Sequence, residues 1–257
     1  MNASTLLELR SCTIRFGGLT AVNEVSLAIP AGGIFGIIGP NGAGKTTVFN
    51  LITGIYRPTA GRVFIGSHDI TGMSPARINS AGVARTFQNI RLFRGMTVQE
   101  NVMAAMRHVS DRNFIAAVTR TPGWLRNLRE VQSRSRELLA ALGIESAGER
   151  EAGELPYGDQ RKLEIARALA TSPKLLLLDE PAAGMNPQEK CELKSLIRRI
   201  RNDFNLTILI IEHDMGVMMD LCECMAVLDH GVKIAEGTPA EIRSHPDVIK
   251  AYLGEEV

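Results

Sequence analysis

No apolar run in this sequence approaches the roughly 20 residues that a helix needs to cross a bilayer, so no membrane-spanning helix is expected. A bias toward one sign of charge is also missing. With 29 Lys+Arg against 28 Asp+Glu the formal net charge is +1, which argues against a protein held to nucleic acid by bulk charge. Cysteines are few: of Cys12, Cys191, Cys222 and Cys224, only the last two lie close together, as C-E-C. No Cys or His cluster completes a zinc-ligand spacing, so these read as buried or incidental thiols of a reducing cytoplasm. The first ten residues, MNASTLLELR, lack a basic region followed by an apolar stretch and are not read as a secretory signal. Repeats, low-complexity tracts and flexible linkers are absent as well. A membrane role would therefore have to come through a partner.

What is present is a chain of 257 residues, 45% of them hydrophobic, long enough for one large α/β domain or two small ones. IFGII (34–38), LLLL (175–178), LTILII (206–211) and MAVL (225–228) are nearly continuous apolar runs. Strands buried on both faces of a parallel sheet look like this. Helical stretches at 188–203 and 215–221 separate the last three, giving β-α-β-α-β order. Residues 6–30 alternate more loosely, as antiparallel strands beside the main sheet would. From about 97 to 150 the chain reads as charged helix interrupted by TPGW (121–124), with an amphipathic helix from Arg126 to Leu142 stopped at Gly143.

Two motifs carry chemistry. GPNGAGKT, from Gly39 through Pro40, Asn41, Gly42, Ala43, Gly44 and Lys45 to Thr46, follows the IFGII strand and leads into the helix-forming stretch TTVFNLITG, whose Thr47 is a further candidate nucleotide contact. Its glycines let backbone N–H groups turn inward around phosphate oxygens, and the helix adds its positive end. Lys45 can reach the β- and γ-phosphates of ATP, and the Thr46 hydroxyl can ligate Mg2+. LLLLDEP ends a buried strand with Asp179 and Glu180, at the carboxyl edge where open parallel sheets bind ligands. Asp179 suits the outer shell of the metal; Glu180, one residue on, could act as general base toward an attacking water.

In this order, the motifs resemble the nucleotide-binding subunit of ABC transporters over nearly the whole chain. The resemblance implies a P-loop NTPase fold of ABC type: a mostly parallel core with an antiparallel β subdomain, over 1–88 and 161–257, and an inserted helical subdomain over 89–160. Phe16 in RFGG would stack on adenine. Gln88 in RTFQN would touch the metal and the attacking water, and His213 in IEHDM would sense the γ-phosphate. LPYGDQRKLEIARAL resembles the signature motif, so Tyr157, Gly158 and Asp159 would meet nucleotide held by a second ABC ATPase subunit, identical or related. The sequence departs from the usual pattern at Pro156, where serine is common, at Asp159 for glutamine, and at Asn186 for aspartate.

Within the superfamily, RFGGLTAVNEVSL, RTFQNIRLFRGMTVQENV, the insertion around 119–130, EPAAGMNP and the ending HPDVIKAYLG are most similar to the ATP-binding proteins of branched-chain amino acid importers. Urea or amide importers and the lipopolysaccharide exporter use similar subunits. A soluble non-transport ABC ATPase and a non-hydrolysing regulatory subunit are the readings outside transport. The importer resemblance implies two membrane permeases and, indirectly, a periplasmic or extracellular solute-binding protein as partners, with no nucleic acid. It places the chain on the cytoplasmic face of the cell membrane. NIRLFRGM (89–96) would form the groove for a permease helix, unless Leu92 and Phe93 are buried in the helical subdomain.

Overall fold

The computed structural model describes residues 4–106 and 118–253. Ten strands form two sheets among them: β1 (Thr5–Phe16), β2 (Leu19–Pro30), β3 (Ile34–Ile38), β4 (Ala60–Ile65), β5 (His68–Asp69), β6 (Val83–Arg85), β7 (Leu175–Asp179), β8 (Thr207–Ile211), β9 (Cys224–Asp229) and β10 (Val232–Gly237). The helices are α1 (Lys45–Ile52), α2 (Pro75–Ser80), α3 (Val98–Ala105), α4 (Pro122–Ala141), α5 (Tyr157–Leu169), α6 (Pro187–Asp203), α7 (Met215–Leu221), α8 (Pro239–Ser244) and α9 (Pro246–Leu253). The chain divides into two compact units, 1–88 with 174–257, and 89–173.

In the first unit, β2-β1-β4-β5 make an antiparallel sheet and β10-β9-β3-β8-β7-β6 make the second. The second is parallel from β9 to β6, with β10 antiparallel at its edge. All five residues of β7 and all five of β8 are buried, which explains why their runs show no polar alternation. Leu7, Leu9 and Ile14 of the first sheet share a core with Ile37, Leu177 and Leu209 of the second and with Val48, Phe49 and Ile52 of α1. That core fixes the phosphate-loop helix between the sheets. The crossover α6 begins in a capping box: Asn186 Oδ1 accepts from the Glu189 N–H at 3.0 Å, and Glu189 returns a bond to the Asn186 N–H at 2.8 Å. Asn186 thus does the helix-capping work that an aspartate would do there.

The second unit packs α3, α4 and α5 through Val98 and Val102, Val131 and Leu138, and Leu163 and Leu169. TPGW does break the helical stretch: a turn at 119–120 separates helical residue 118 from α4. The Thr121 hydroxyl accepts from the Trp124 N–H and Pro122 occupies the first turn, so α4 starts four residues before the expected Arg126. All of α5 belongs to the second unit, where it contacts α3 and α4, so the return to the first unit comes at Lys174 rather than at residue 161. Asn101 is fully buried and clamps the loop before α3: its amide donates to the Phe93 and Thr97 carbonyls at 3.0 Å, and its oxygen accepts from the Phe93 N–H. Within that loop Leu92 is half-buried, while Phe93 is 52% exposed beneath the Arg167 guanidinium. Residues 107–117 of the expected helical stretch, and the last residue of HPDVIKAYLG, lie outside the described residues.

Candidate active site

The phosphate loop leaves β3 at Gly39, whose φ is +150°; a Cβ there would stand 2.0 Å from the Leu228 carbonyl oxygen. Gly44, at φ +96°, is the N-cap of α1, and a Cβ would come 2.7 Å from the Ala21 carbonyl oxygen. Both positions need glycine. The turn after β9 braces the loop, since the Gly231 N–H donates to the Ala43 carbonyl at 3.1 Å. No side chain caps α1, so its first turn remains an anion-binding end. Lys45 is buried, and its ammonium donates to the Gly39 and Pro40 carbonyls, both at 2.7 Å. A cleft of about 420 Å³ is lined by residues 41–47, by Leu19, Thr20 and Ala21, and by Glu180 and His230. Phe16, 45% exposed at the end of β1, rests edge-on against Tyr56 with ring centroids 5.1 Å apart.

The two carboxylates stand at the end of β7, with Glu180 lining this cleft. Asp179 is buried at the end of β7, and its Oδ2 accepts from Arg85 Nη2 at 2.6 Å. Glu180 adopts φ +47°, a conformation unfavourable for a side-chain-bearing residue, held by its N–H donating to the Ile211 carbonyl at 2.9 Å. Gln88 Nε2 donates to Glu180 Oε2 at 2.7 Å, bringing the expected water-contacting amide and the expected base together. His213 follows β8 with its side chain 63% exposed, and its Nδ1 lies 3.7 Å from Glu212.

Tyr157, Gly158 and Asp159 belong to the second unit, in the first turn of α5. Pro156 is the N-cap and supplies no side-chain cap; its carbonyl accepts from the Asp159 and Gln160 N–H groups at 3.0 Å. Asp159 is paired with Lys162 at 2.8 Å. Tyr157 leaves its ring 47% exposed while its hydroxyl accepts from buried Arg161.

Comparison with known proteins places this geometry. Residues 22–183 match the ABC transporter family. The chain belongs to the ABC transporter family. Residues 232–257 of this ATP-binding cassette also match a family described as branched-chain amino acid ATP-binding cassette transporter. The cassette is 47% identical to the high-affinity branched-chain amino acid transport ATP-binding protein BraF of Pseudomonas aeruginosa, over 97% of this chain and 98% of that protein. Its identity to the corresponding protein LivG of Escherichia coli K12 is 46%, with the same coverage. A nucleotide-free ATP-binding cassette from an ABC transporter superposes with a TM-score of 0.83 at 31% identity, covering 96% of this chain and 98% of that one. The ADP conformation of an ABC transporter cassette superposes at 0.82 and 31%, covering 97% and 99%.

Thr46, Gln88 and Asp179 offer only hard oxygen donors, and no group of three or more His, Cys, Asp or Glu side chains forms a metal cage among the described residues. Such a donor set fits Mg2+, which keeps waters and substrate phosphate oxygens in its shell. Since Arg85 holds one oxygen of Asp179, a role for this acid through metal-bound water fits better than a full bidentate ligand.

Two residues of this cassette's site went unread in the sequence. Arg85 binds Asp179, Asn50 Oδ1 at 2.7 Å and Thr53 Oγ1 at 3.3 Å, tying β7 to the end of α1. Glu212 is fully buried and accepts from the Ala182 N–H at 2.7 Å. The available signal was a charge lodged in an apolar run, VARTF in one case and LTILIIE in the other.

Proposed function

We propose that this cassette is the ATP-hydrolysing subunit of an importer for branched-chain amino acids. The observation that carries the catalytic part is the Glu180 constellation: an acid at φ +47°, hydrogen-bonded to Gln88 and lining the same cleft as Lys45 and Thr46. Lys45 and the backbone of 39–47 hold the phosphates of ATP, and Phe16 receives the adenine. Gln88 orients a water, Glu180 takes its proton as the oxygen attacks the γ-phosphorus, and ADP leaves as the β–γ bond breaks. His213, on the neighbouring strand end, faces the γ-phosphate. Thr46 and Gln88 would hold Mg2+ with Asp179 in its outer shell, and the ion would neutralise charge on the phosphates.

Tyr157, Gly158 and Asp159 serve the nucleotide of a second ABC ATPase subunit, so that two ATP molecules are enclosed by a pair. ATP closes the pair, hydrolysis opens it, and the motion passes to two permeases through the 89–96 loop. The chain works peripherally on the cytoplasmic face of the cell membrane. The match over 232–257 and the relatives' names support the solute class. Reconstitution with the permeases and solute-binding protein tests it. ATPase should rise with leucine, isoleucine or valine; stimulation by urea or a lipid instead refutes the solute and leaves the ATPase reading standing.

A further inference from the structure

Glu212 directly follows the buried strand β8 and is itself 0% exposed. Its carboxylate spans two strand ends. Oε1 accepts from the Ala182 N–H at 2.7 Å, and Oε2 accepts from the His213 N–H at 3.2 Å. Ala182, 3% exposed, lies two residues beyond Glu180, and the Glu180 N–H donates back to the Ile211 carbonyl at 2.9 Å. The segments bearing Glu180 and His213 are therefore laced twice, once by backbone and once by this side chain.

Folding alone does not call for a charge here. The groups that act electrostatically on Glu212 are Glu180, of like sign, the exposed imidazole of His213, and Lys190, whose own ammonium is bonded to Asp214. Burial pushes the Glu212 carboxyl upward, only partly countered by the Ala182 N–H, so the charged form is disfavoured in the fold. What the carboxylate provides, and an amide does not, is two acceptor oxygens for two N–H groups on different strand ends.

We infer that Glu212 is a positioning residue that fixes Glu180 and His213 relative to each other for hydrolysis. The inference rests on the hydrolytic reading given above. The test is Glu212→Gln in the full chain, with steady-state ATPase normalised to the stoichiometry of fluorescent-ATP binding, so that misfolded chains do not count. One N–H loses its acceptor while the core stays filled. Turnover should fall about 10- to 100-fold, the scale of a small misplacement of reacting groups, with KM for ATP within about twofold of the parent. The melting temperature should move by no more than about 3 °C, because the lost bond and the removed buried charge oppose each other. Turnover within about twofold of the parent overturns the proposal, as does a KM that rises in proportion to the loss. Glu180→Gln, assayed alongside, separates the two readings. If it stays active, the hydrolytic assignment fails; if it is inactive while Glu212→Gln turns over normally, only the positioning role falls.

Discussion

Replacing Arg85 by methionine should destabilise the first unit severely, by an amount the geometry sets. The guanidinium and the Asp179 carboxylate are 6% and 4% exposed and meet at 2.6 Å, so solvent screens the pair little. Methionine fills much of the stem's volume but leaves Asp179 as a buried anion without its cation. Breaking such a pair from one side costs about 3–5 kcal/mol. At roughly 2–4 °C per kcal/mol for a chain of this size, the melting temperature should fall by about 6–20 °C. The loss of the bonds to Asn50 and Thr53, and of the cation between the rings of Phe49 and Phe87, adds to this end of the range. Adding Asp179→Asn to Arg85→Met removes the stranded charge and should restore part of the loss, although Asp179→Asn alone destabilises. Thermal unfolding followed by circular dichroism reads all four chains as a double-mutant cycle. A drop below about 3 °C for Arg85→Met, or strictly additive losses in the double variant, would refute the claim that the buried pair ties β7 to α1.

Other outcomes follow from the same structure. Pro156→Ser adds a side-chain cap to α5 worth about 1 kcal/mol and loses about 0.4–1 kcal/mol of chain restriction. The melting temperature should scarcely move while ATP-driven pairing tightens; sedimentation that shows unchanged pairing would mean that Gly158 and the helix end carry the contact without a capping hydroxyl. A thiol reagent at pH 8 should modify Cys191 first, because Cys12 and Cys222 are buried and their thiols are pushed up to about 11 and about 12 by burial. Peptide mapping that finds Cys222 labelled as fast as Cys191 in the native chain would contradict that packing. Leu92→Asp with Phe93→Asp should abolish transport by the reconstituted complex while the isolated chain keeps its ATPase. A melting-temperature loss as large as that of a core substitution would show instead that Leu92, half-buried, serves packing.

The parallel core was legible because its strands are buried on both faces. LLLLD and TILII carry no alternation to misread, and glycine-rich or acidic residues mark their carboxyl ends. The phosphate loop was legible because Gly39 and Gly44 stand where no Cβ fits. What escaped depended on partners distant in sequence. Nothing local announces that Arg85 meets Asp179, 94 residues on, or that Glu212 accepts from Ala182, 30 residues back. β6 is only three residues long and draws its identity from pairing with β7. TPGW was legible as a break, but the start of α4 was placed four residues late, because threonine followed by proline is both a loop signal and a helix start. Asn186 looked like a departure from pattern, yet its side chain closes a capping box that needs only a short polar acceptor.

The most direct test of the account is Glu180→Gln in the full chain. The amide keeps the size of the side chain and can still bond Gln88, but it cannot take a proton from water. Removing a general base typically costs ~10²–10⁴-fold in rate. The account predicts ATP affinity close to that of the parent, turnover lowered by at least about 100-fold, and an ATP-bound pair that persists through gel filtration. Turnover above about a tenth of the parent's, with ATP bound normally, would contradict the assignment of Glu180 as the base.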